Sequence, residues 1–476
     1  MSEKYLMGID EGSQSAKITI FDIKGNIVCE GKAALRPYIL PKPGYVVHPD
    51  DDWWDAICKA SKDCMSKFAG DPADIVGIGL CTIRCCRAYL NADCQLAQEA
   101  LSWMDIRMSR PYEEENPEVK YLTASSGYIT YRLTGEKKDT VANYEYSWPI
   151  DVDHWAWSED PADYEANGIP REMLFDLVMP GDVLGYVTQE AADATGLPAG
   201  VPVVATANDK AVEGLGTGCM ADGTACISLG TYTTAMMKGT ENLKGTSYAW
   251  PKFSCVPNQY LYDSNGIRRG MWTVSWFRDV LGDGYKKEAA ALGISAEELL
   301  GREAEQVPVG SDGLMTVLHW LADADKQYQK GIMIGFDGRH TRAHIYRSIL
   351  EAIAMTLKKH VDDMCNEVGA SFDRIVITGG GSNSDLMMQI FADVFNLPMV
   401  RNEISGAAGL GSAICAAVAA GVYDSFDKAA ANMVRVKETF KPIPEHTAVY
   451  KKMLPIYAQI TQYTDPILKQ TYEIFE

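Results

Sequence analysis

The chain opens with a short apolar run over residues 5–10, a polar turn over 11–15 and a β-rich return over 16–22. That pattern predicts a hairpin, with Lys24-Gly25-Asn26 turning the chain again before Ile27-Val28. After prolines at 37, 41 and 43, a helix is predicted near residues 48–54. Asp50, Asp51 and Asp52 would sit in its first turn, where carboxylates suit the positive end of the helix dipole. Residues 75–80 read as a buried strand, and this alternation of strand and helix predicts a mixed or parallel sheet.

A second hairpin of the same form follows much later. Residues 223–229 are a strand, Gly230-Thr231 the turn and residues 232–237 the return, which predicts an internal duplication with one copy per domain. Further on, apolar residues at 346, 349, 353, 357, 361, 364 and 368 have helical spacing. Residues 374–378 form a strand, Gly379 to Gly381 a loop, and Leu386, Met387, Ile390 and Phe391 mark a helix. Ser382 is its predicted cap, with Asp385 three residues on. Residues 398–400 and 407–420 complete a βαβα unit, with its glycine loop at the carboxyl end of a strand, the usual ligand edge. Beyond Thr447 a further helix is expected, kinked or restarted by Pro455.

A length of 476 residues exceeds one ordinary core and implies two domains. The net charge of −20 repels phosphate backbones and anionic lipid, so neither nucleic acid nor membrane is an expected partner. A nucleotide stays compatible, because backbone N–H groups and a metal ion neutralise it locally. The longest uncharged run, residues 404–423, is rich in glycine and alanine and reads as a buried helix rather than a membrane span. Met1-Ser2-Glu3-Lys4 leads straight into the first strand, so no secretory leader and a cytoplasmic location are expected. The 12 cysteines include no CxxC pair and read as reduced, mostly buried thiols; a zinc site at Cys81, Cys85 and Cys86 is the lesser alternative.

Three loops suit phosphate or nucleotide. Gly12 with Ser13, and Gly230 with Thr231, offer backbone N–H and hydroxyl donors at tight turns. Gly379, Gly380, Gly381 and Ser382 lead into a helix N-terminus, which favours anions. Each alone is most simply a turn; three in one αβ chain point to a nucleotide. Asp10, at the end of the first strand, can hold Mg²⁺ directly or through water. Lys17 on the return strand reads equally as a phosphate contact or a solvated lysine. Asp209 follows the apolar stretch 202–204 and precedes the glycine-rich segment 214–218, so it reads as a general base or as a turn aspartate. Phosphoryl transfer fits such a kit, since its loose transition state asks mainly for alignment and charge neutralisation. An aspartate with a pKa near ~3.9 then serves by orienting the hydroxyl and accepting its proton late.

The chain resembles the FGGY carbohydrate kinases, the family of xylulokinase, glycerol kinase and ribulokinase. The matching segments run in family order: residues 8–13 with Lys17, 103–107, 131–136, 208–209 with 215–216, 228–231, 340–344, 379–381 with 389–393, and 410–411. The resemblance implies an α/β fold of two ribonuclease-H-like domains, of actin and hexokinase type, with a cleft between them. It divides the chain into a sugar-binding domain over 1–218 and a nucleotide-binding domain over 219–476. It implies ATP and Mg²⁺ as cofactors, Asp209 as catalytic base, Asp10 near the metal, and Gly12, Ser13, Gly230 and Thr231 as phosphate loops. Gly380 and Gly381 would lie on the adenosine side. Sugar contacts would come from Thr82, Ile83 and Arg84, and from Trp103 and Asp105. The implied activity is phosphorylation of a hydroxyl on a small sugar or polyol, such as the ketose xylulose. The alternatives are an autoinducer-2-type or other polyol kinase, a weakened member that binds ligand and regulates, or an actin-like structural ATPase. A homodimer is common in the family.

Three departures from the family pattern stand out. Between Arg107 and Tyr128 the family usually has tens more residues, where this chain has a short polar link over 108–126. Cys85 replaces a sugar-contacting Glu or His after Arg84. Gly406 stands where Glu is common, and the GERxP-like segment is absent where residues 318–321 lead to Ala324-Asp325-Lys326.

Overall fold

Alternation along Tyr5–Glu11 (β1) decides which face each side chain takes. Tyr5, Met7 and Ile9 enter one core, and Leu6 enters another on the opposite face. β1 pairs antiparallel with Ser15–Asp22 (β2), which pairs antiparallel with Ile27–Ala34 (β3). It also pairs parallel with Ile75–Thr82 (β4). With Val183–Tyr186 (β5) and Pro202–Asn208 (β6) these make a six-stranded sheet of order β5-β6-β4-β1-β2-β3, in which β6 is parallel to β4. The computed structural model describes residues 3–145, 147–323 and 325–475. Met1 and Ser2, expected to lead into β1, and Ala324 lie outside them.

The second hairpin starts a second sheet with the same logic. Thr224–Leu229 (β7) pairs antiparallel with Thr233–Gly239 (β8) and parallel with Arg374–Thr378 (β11). Ala249–Phe253 (β9), Tyr260–Ser264 (β10), Met399–Asn402 (β12) and Val436–Phe440 (β13) complete the order β9-β10-β8-β7-β11-β12-β13. In each sheet, then, the first hairpin strand pairs on its far side with parallel strands whose carboxyl ends share an edge.

Six helices matter to the site. Asp52–Lys67 (α1) covers β2 and β3, and Ser125–Thr134 (α2) starts inside the shortened stretch. Asp209–Thr217 (α3) follows β6 directly. Arg342–Val368 (α4) and Asp385–Phe395 (α5) pack on the second sheet's core. Ala407–Ala419 (α6) is the uncharged run, and most of it is buried. Among the described residues, no helix is long and apolar enough to cross a membrane. Pro444–Tyr457 runs through Pro455, and a separate helix restarts at Ile460–Phe475.

Helices α3 and α6 lie where the two sheets meet. Leu6 and Val204 of the first sheet, Cys226 and Leu261 of the second, and Leu215, Leu410 and Ile414 of the helices share one buried cluster. The approach is so close that side chains are excluded. A Cβ on Gly8 would lie 2.1 Å from the Gly409 carbonyl oxygen, and one on Gly79 1.9 Å from that of Ser412. A Cβ on Gly216 would lie 1.9 Å from the Ala407 oxygen, where α3 meets α6.

Two expectations change. Ser384, not Ser382, caps α5 by accepting the Met387 N–H, while the Ser382 hydroxyl turns back to donate to the Gly379 oxygen at 2.7 Å. Both serines precede Asp385, so the capping signal in the sequence did not separate them. The link over 108–126 is also less loose than its composition suggests. Its end, Tyr121–Thr123, pairs antiparallel with Ala88–Leu90, and Val119, Leu122 and Ala124 are buried.

An aromatic cluster braces the Gly12–Ser13 turn. The Tyr38 hydroxyl donates to the Ser13 oxygen at 3.0 Å, and the Tyr38 ring meets His48, whose centroid is 4.9 Å away. His48 is buried against Trp53 at 4.8 Å, and burial pushes its pKa down to about 4. A group depressed in the folded state gives stability above its unfolded pKa that is lost as pH falls toward its folded one. Between pH 7 and 5, wild type should lose about 2 kcal/mol of unfolding free energy relative to His48→Phe, read from paired denaturant titrations. Gly8→Ala should cost about 1–3 kcal/mol through overpacking against α6, seen as a lower Tm.

Candidate active site

The carboxyl ends of β1, β4 and β6 are adjacent, because Glu11 and Asn208 both pair with Thr82. These ends deliver Asp10, Arg84 and Asp209 to one edge. Asn208 caps α3, its side-chain oxygen accepting the N–H groups of Lys210 and Ala211, both at 3.1 Å. That cap fixes Asp209 as the first residue of the helix. One of its oxygens, Oδ1, is buried without a partner among the described residues.

Asp10 faces this carboxylate and that of Glu213. Burial, then the like charges of Asp209 and Glu213, push the Asp10 carboxyl up to about 7, against the pull of Lys17 and Lys210. Lys210 donates to Glu213 at 2.8 Å and to the Ser228 hydroxyl of β7 at 2.8 Å. Glu213 accepts from the same hydroxyl at 3.0 Å, so this trio joins α3 to the second sheet. Burial works against the charge on Lys210, but Glu213 and Asp209 hold its pKa above the ordinary value. Lys17 lies opposite Asp10 in the hairpin and pairs with Glu30 at 2.8 Å. Its ammonium already has a carboxylate, so any phosphate would have to compete for it.

Arg84 reaches the second half of the chain. Its Nη1 lies 3.7 Å from Asp263 on β10, which in turn holds Lys252 of β9 at 2.9 Å. Burial opposes the guanidinium charge, yet Asp263, Asp209 and Glu145 keep its pKa well above the usual value. Asp263 is held below its usual range by Lys252 and Arg84 although burial works the other way. Cys85 is pushed up to about 11 by burial and then by Glu145, so it stays a thiol. Glu145, Lys210, Glu213, Lys252 and Asp263 were not singled out from the sequence. The Lys210/Glu213 spacing was a readable signal; the others come from distant segments.

The remaining sugar-side residues are placed differently. The Thr82 hydroxyl is fully buried, bonded to Ser125 at 2.8 Å and to Asn143 at 3.2 Å. Asp105 gives both oxygens to Arg107, at 2.9 Å each, and one also accepts the Val46 N–H. Trp103, two residues earlier, is 51% exposed.

On the second sheet, the Gly230–Thr231 turn and the Gly379–Ser382 loop end adjacent parallel strands. Gly379 has a φ of +84° and packs on the Leu229 oxygen. Thr231 is exposed, and nothing lies within 4 Å of where a Cβ on Gly380 would stand. The first hairpin's Gly12 N–H is engaged by Ser15 at 3.1 Å. An orphaned Asp209 oxygen, the open position at Gly380 and the carboxyl group of Asp10 together fit a magnesium nucleotide. Among the described residues, no three His, Cys, Asp or Glu side chains form a metal cluster, which leaves Cys81, Cys85 and Cys86 as thiols. Mg²⁺ carried on phosphates needs only one or two protein carboxylates.

Comparison with known proteins identifies the framework. The N-terminal domain of the FGGY family of carbohydrate kinases matches residues 5–115 and 108–216, two pieces that overlap in the shortened stretch. The family's C-terminal domain matches residues 225–420. A protein of Escherichia coli (strain K12) described as an uncharacterized sugar kinase, YgcE, is 54% identical over 475 residues, covering 100% of this chain and 96% of that one. A xylulose kinase of Bacillus subtilis (strain 168) is 25% identical over 500 residues, covering 97% of each. The crystal structure of a xylulose kinase from Rhodospirillum rubrum superposes with a TM-score of 0.84 at 22% identity, over 98% of this chain and 100% of that one. That likeness gives the expected fold, two ribonuclease-H-like domains of the actin and hexokinase type. Both domain profiles and a relative identical at more than half its positions lead to one conclusion: the chain belongs to the FGGY family of carbohydrate kinases.

Proposed function

We propose that this kinase transfers the γ-phosphoryl group of ATP to a hydroxyl of a small sugar or polyol, most simply a ketose such as xylulose, with Asp209 as base. The observation that carries the reading is the Asp209 carboxylate, held at the start of α3 with one oxygen buried and unpartnered. A hydroxyl donor is what that oxygen lacks. Similarity to a xylulose kinase along the whole chain supports the ketose. All 12 cysteines are free thiols, which suits a cytoplasmic setting.

The residues divide the work. Asp209 orients the acceptor hydroxyl and takes its proton at Oδ1. Arg84 hydrogen-bonds an acceptor oxygen nearby, and Lys210 ties α3 to the second sheet through Glu213 and Ser228. Ser13, Gly230 and Thr231 present donors to phosphate oxygens, while Gly12 shapes the first turn with its own N–H held by Ser15. Gly380 leaves room for the adenosine side, and Gly381 packs beneath it on Leu229. Asp10 would hold Mg²⁺. When bound, Mg-ATP supplies the phosphoryl group and a cation that offsets charge on its oxygens.

A coupled ADP-release assay with Mg-ATP across ketoses, polyols and glycerol tests this directly. Turnover on one neutral compound is expected, and absence of turnover on all would overturn the reading. Asp209→Asn should lower kcat by about 10²–10⁴-fold while the variant still binds nucleotide. Asp10→Asn should raise the Mg²⁺ concentration needed for half-maximal rate by about tenfold, a loss of about 1.4 kcal/mol, with a smaller change in KM for the sugar.

A further inference from the structure

We infer that Glu145 is a specificity-determining carboxylate of the acceptor site: it reads a second hydroxyl of the substrate and disfavours sugar acids. The inference rests on the kinase reading and deepens it, because it assigns an unclaimed residue and narrows the substrate class.

Among the described residues, the buried polar atoms at this edge without a hydrogen-bond partner include Oδ1 of Asp209, Nη1 of Arg84 and Oε2 of Glu145. They belong to one electrostatic neighbourhood. Arg84 feels both carboxylates, and Glu145 is the strongest charge acting on Cys85. The other oxygen of Glu145 accepts from the side-chain amide of Asn208, at 3.4 Å, the residue next to Asp209. Glu145 is also held from behind. Its neighbour Tyr144 is fully buried, its hydroxyl bonded to Thr123 at 2.8 Å and donating to Asp139 at 2.7 Å. Leaving a buried charged atom unpaired carries a desolvation penalty, so a set of them on a fixed frame is accounted for by a ligand that pairs them.

The chemistry of the set describes that ligand. Carboxylate oxygens accept hydrogen bonds, so the free oxygens of Asp209 and Glu145 suit two O–H donors, and the guanidinium suits an oxygen acceptor. Neighbouring hydroxyls of a neutral polyol or ketose supply all three. A carboxylate in the substrate would bring no donor and would add a negative charge beside two others. Arg84 cannot offset it fully, since Asp263 already shares its charge. Lys252, which lines a cavity with Glu145, is likewise bound to Asp263.

The test compares wild type and Glu145→Gln by calorimetric binding and by the coupled assay. The probes are a neutral ketopentose, its analogue lacking the hydroxyl next to the reacting one, and the aldonate of the same length. Wild type should favour the ketopentose over both by about tenfold or more in kcat/KM. Glu145→Gln should raise KM for the ketopentose by about tenfold, with a smaller fall in kcat, and should erase the preference over both analogues. Glu145→Asp should restore part of it. If wild type phosphorylates the ketopentose while Glu145→Gln keeps the same KM and preferences, the inference fails and the kinase reading stands. A variant that loses affinity for nucleotide and sugar equally, with a lowered Tm, shows a structural role and also overturns it. If wild type neither binds nor phosphorylates any neutral probe, the kinase reading fails and takes the inference with it.

Discussion

The seating of α6 against the first sheet is the contact on which the rest depends. Gly8, Gly79 and Gly216 remove the side chains that would hold backbone apart, and α6 meets them with the backbone of Gly409, Ser412 and Ala407. Close-packed interiors transmit a misfit rather than absorb it. The constraint is functional because α6 also packs on α3. The helix that begins with Asp209 is therefore positioned by both sheets at once, and the acid cannot drift relative to Asp10.

That rigidity has an electrostatic counterpart. Burial, and then the like charges of Asp209 and Glu213, lift the Asp10 carboxyl toward neutrality. Lys210 offsets part of this from within, bonded to Glu213 and Ser228. The remaining imbalance suits an edge meant to receive a cation with its phosphates. With an overall charge of −20 there is no net basic surface to draw a nucleotide, so local donors at glycine turns would have to supply the attraction.

Much of the framework was legible in the sequence. Both hairpins, the long helix ending at Val368 and the strand before Gly379 follow from periodicity and turn chemistry. Asp10, Asp209 and the glycine loops were readable as residue types at strand ends. Glu145, Lys252 and Asp263 were not, because each reaches the site from a segment whose local pattern says only strand or loop. Thr82 and Asp105 show the opposite case. Family resemblance brings them forward, while their polar atoms are bonded to Ser125, Asn143 and Arg107. The two serines before Asp385 show the limit of a spacing rule, since only the path of the turn chose Ser384.

The link from Arg84 to Asp263 gives the cleft a thermodynamic character. Arg84 belongs to the first sheet's half and Asp263 to the second's, so parting the halves would take a half-buried guanidinium from its counter-ion. Any movement that parts the halves works against this pair. An acceptor oxygen bonded to Arg84 would share its charge with Asp263, so affinity for the acceptor and cohesion between the halves would meet in one side chain.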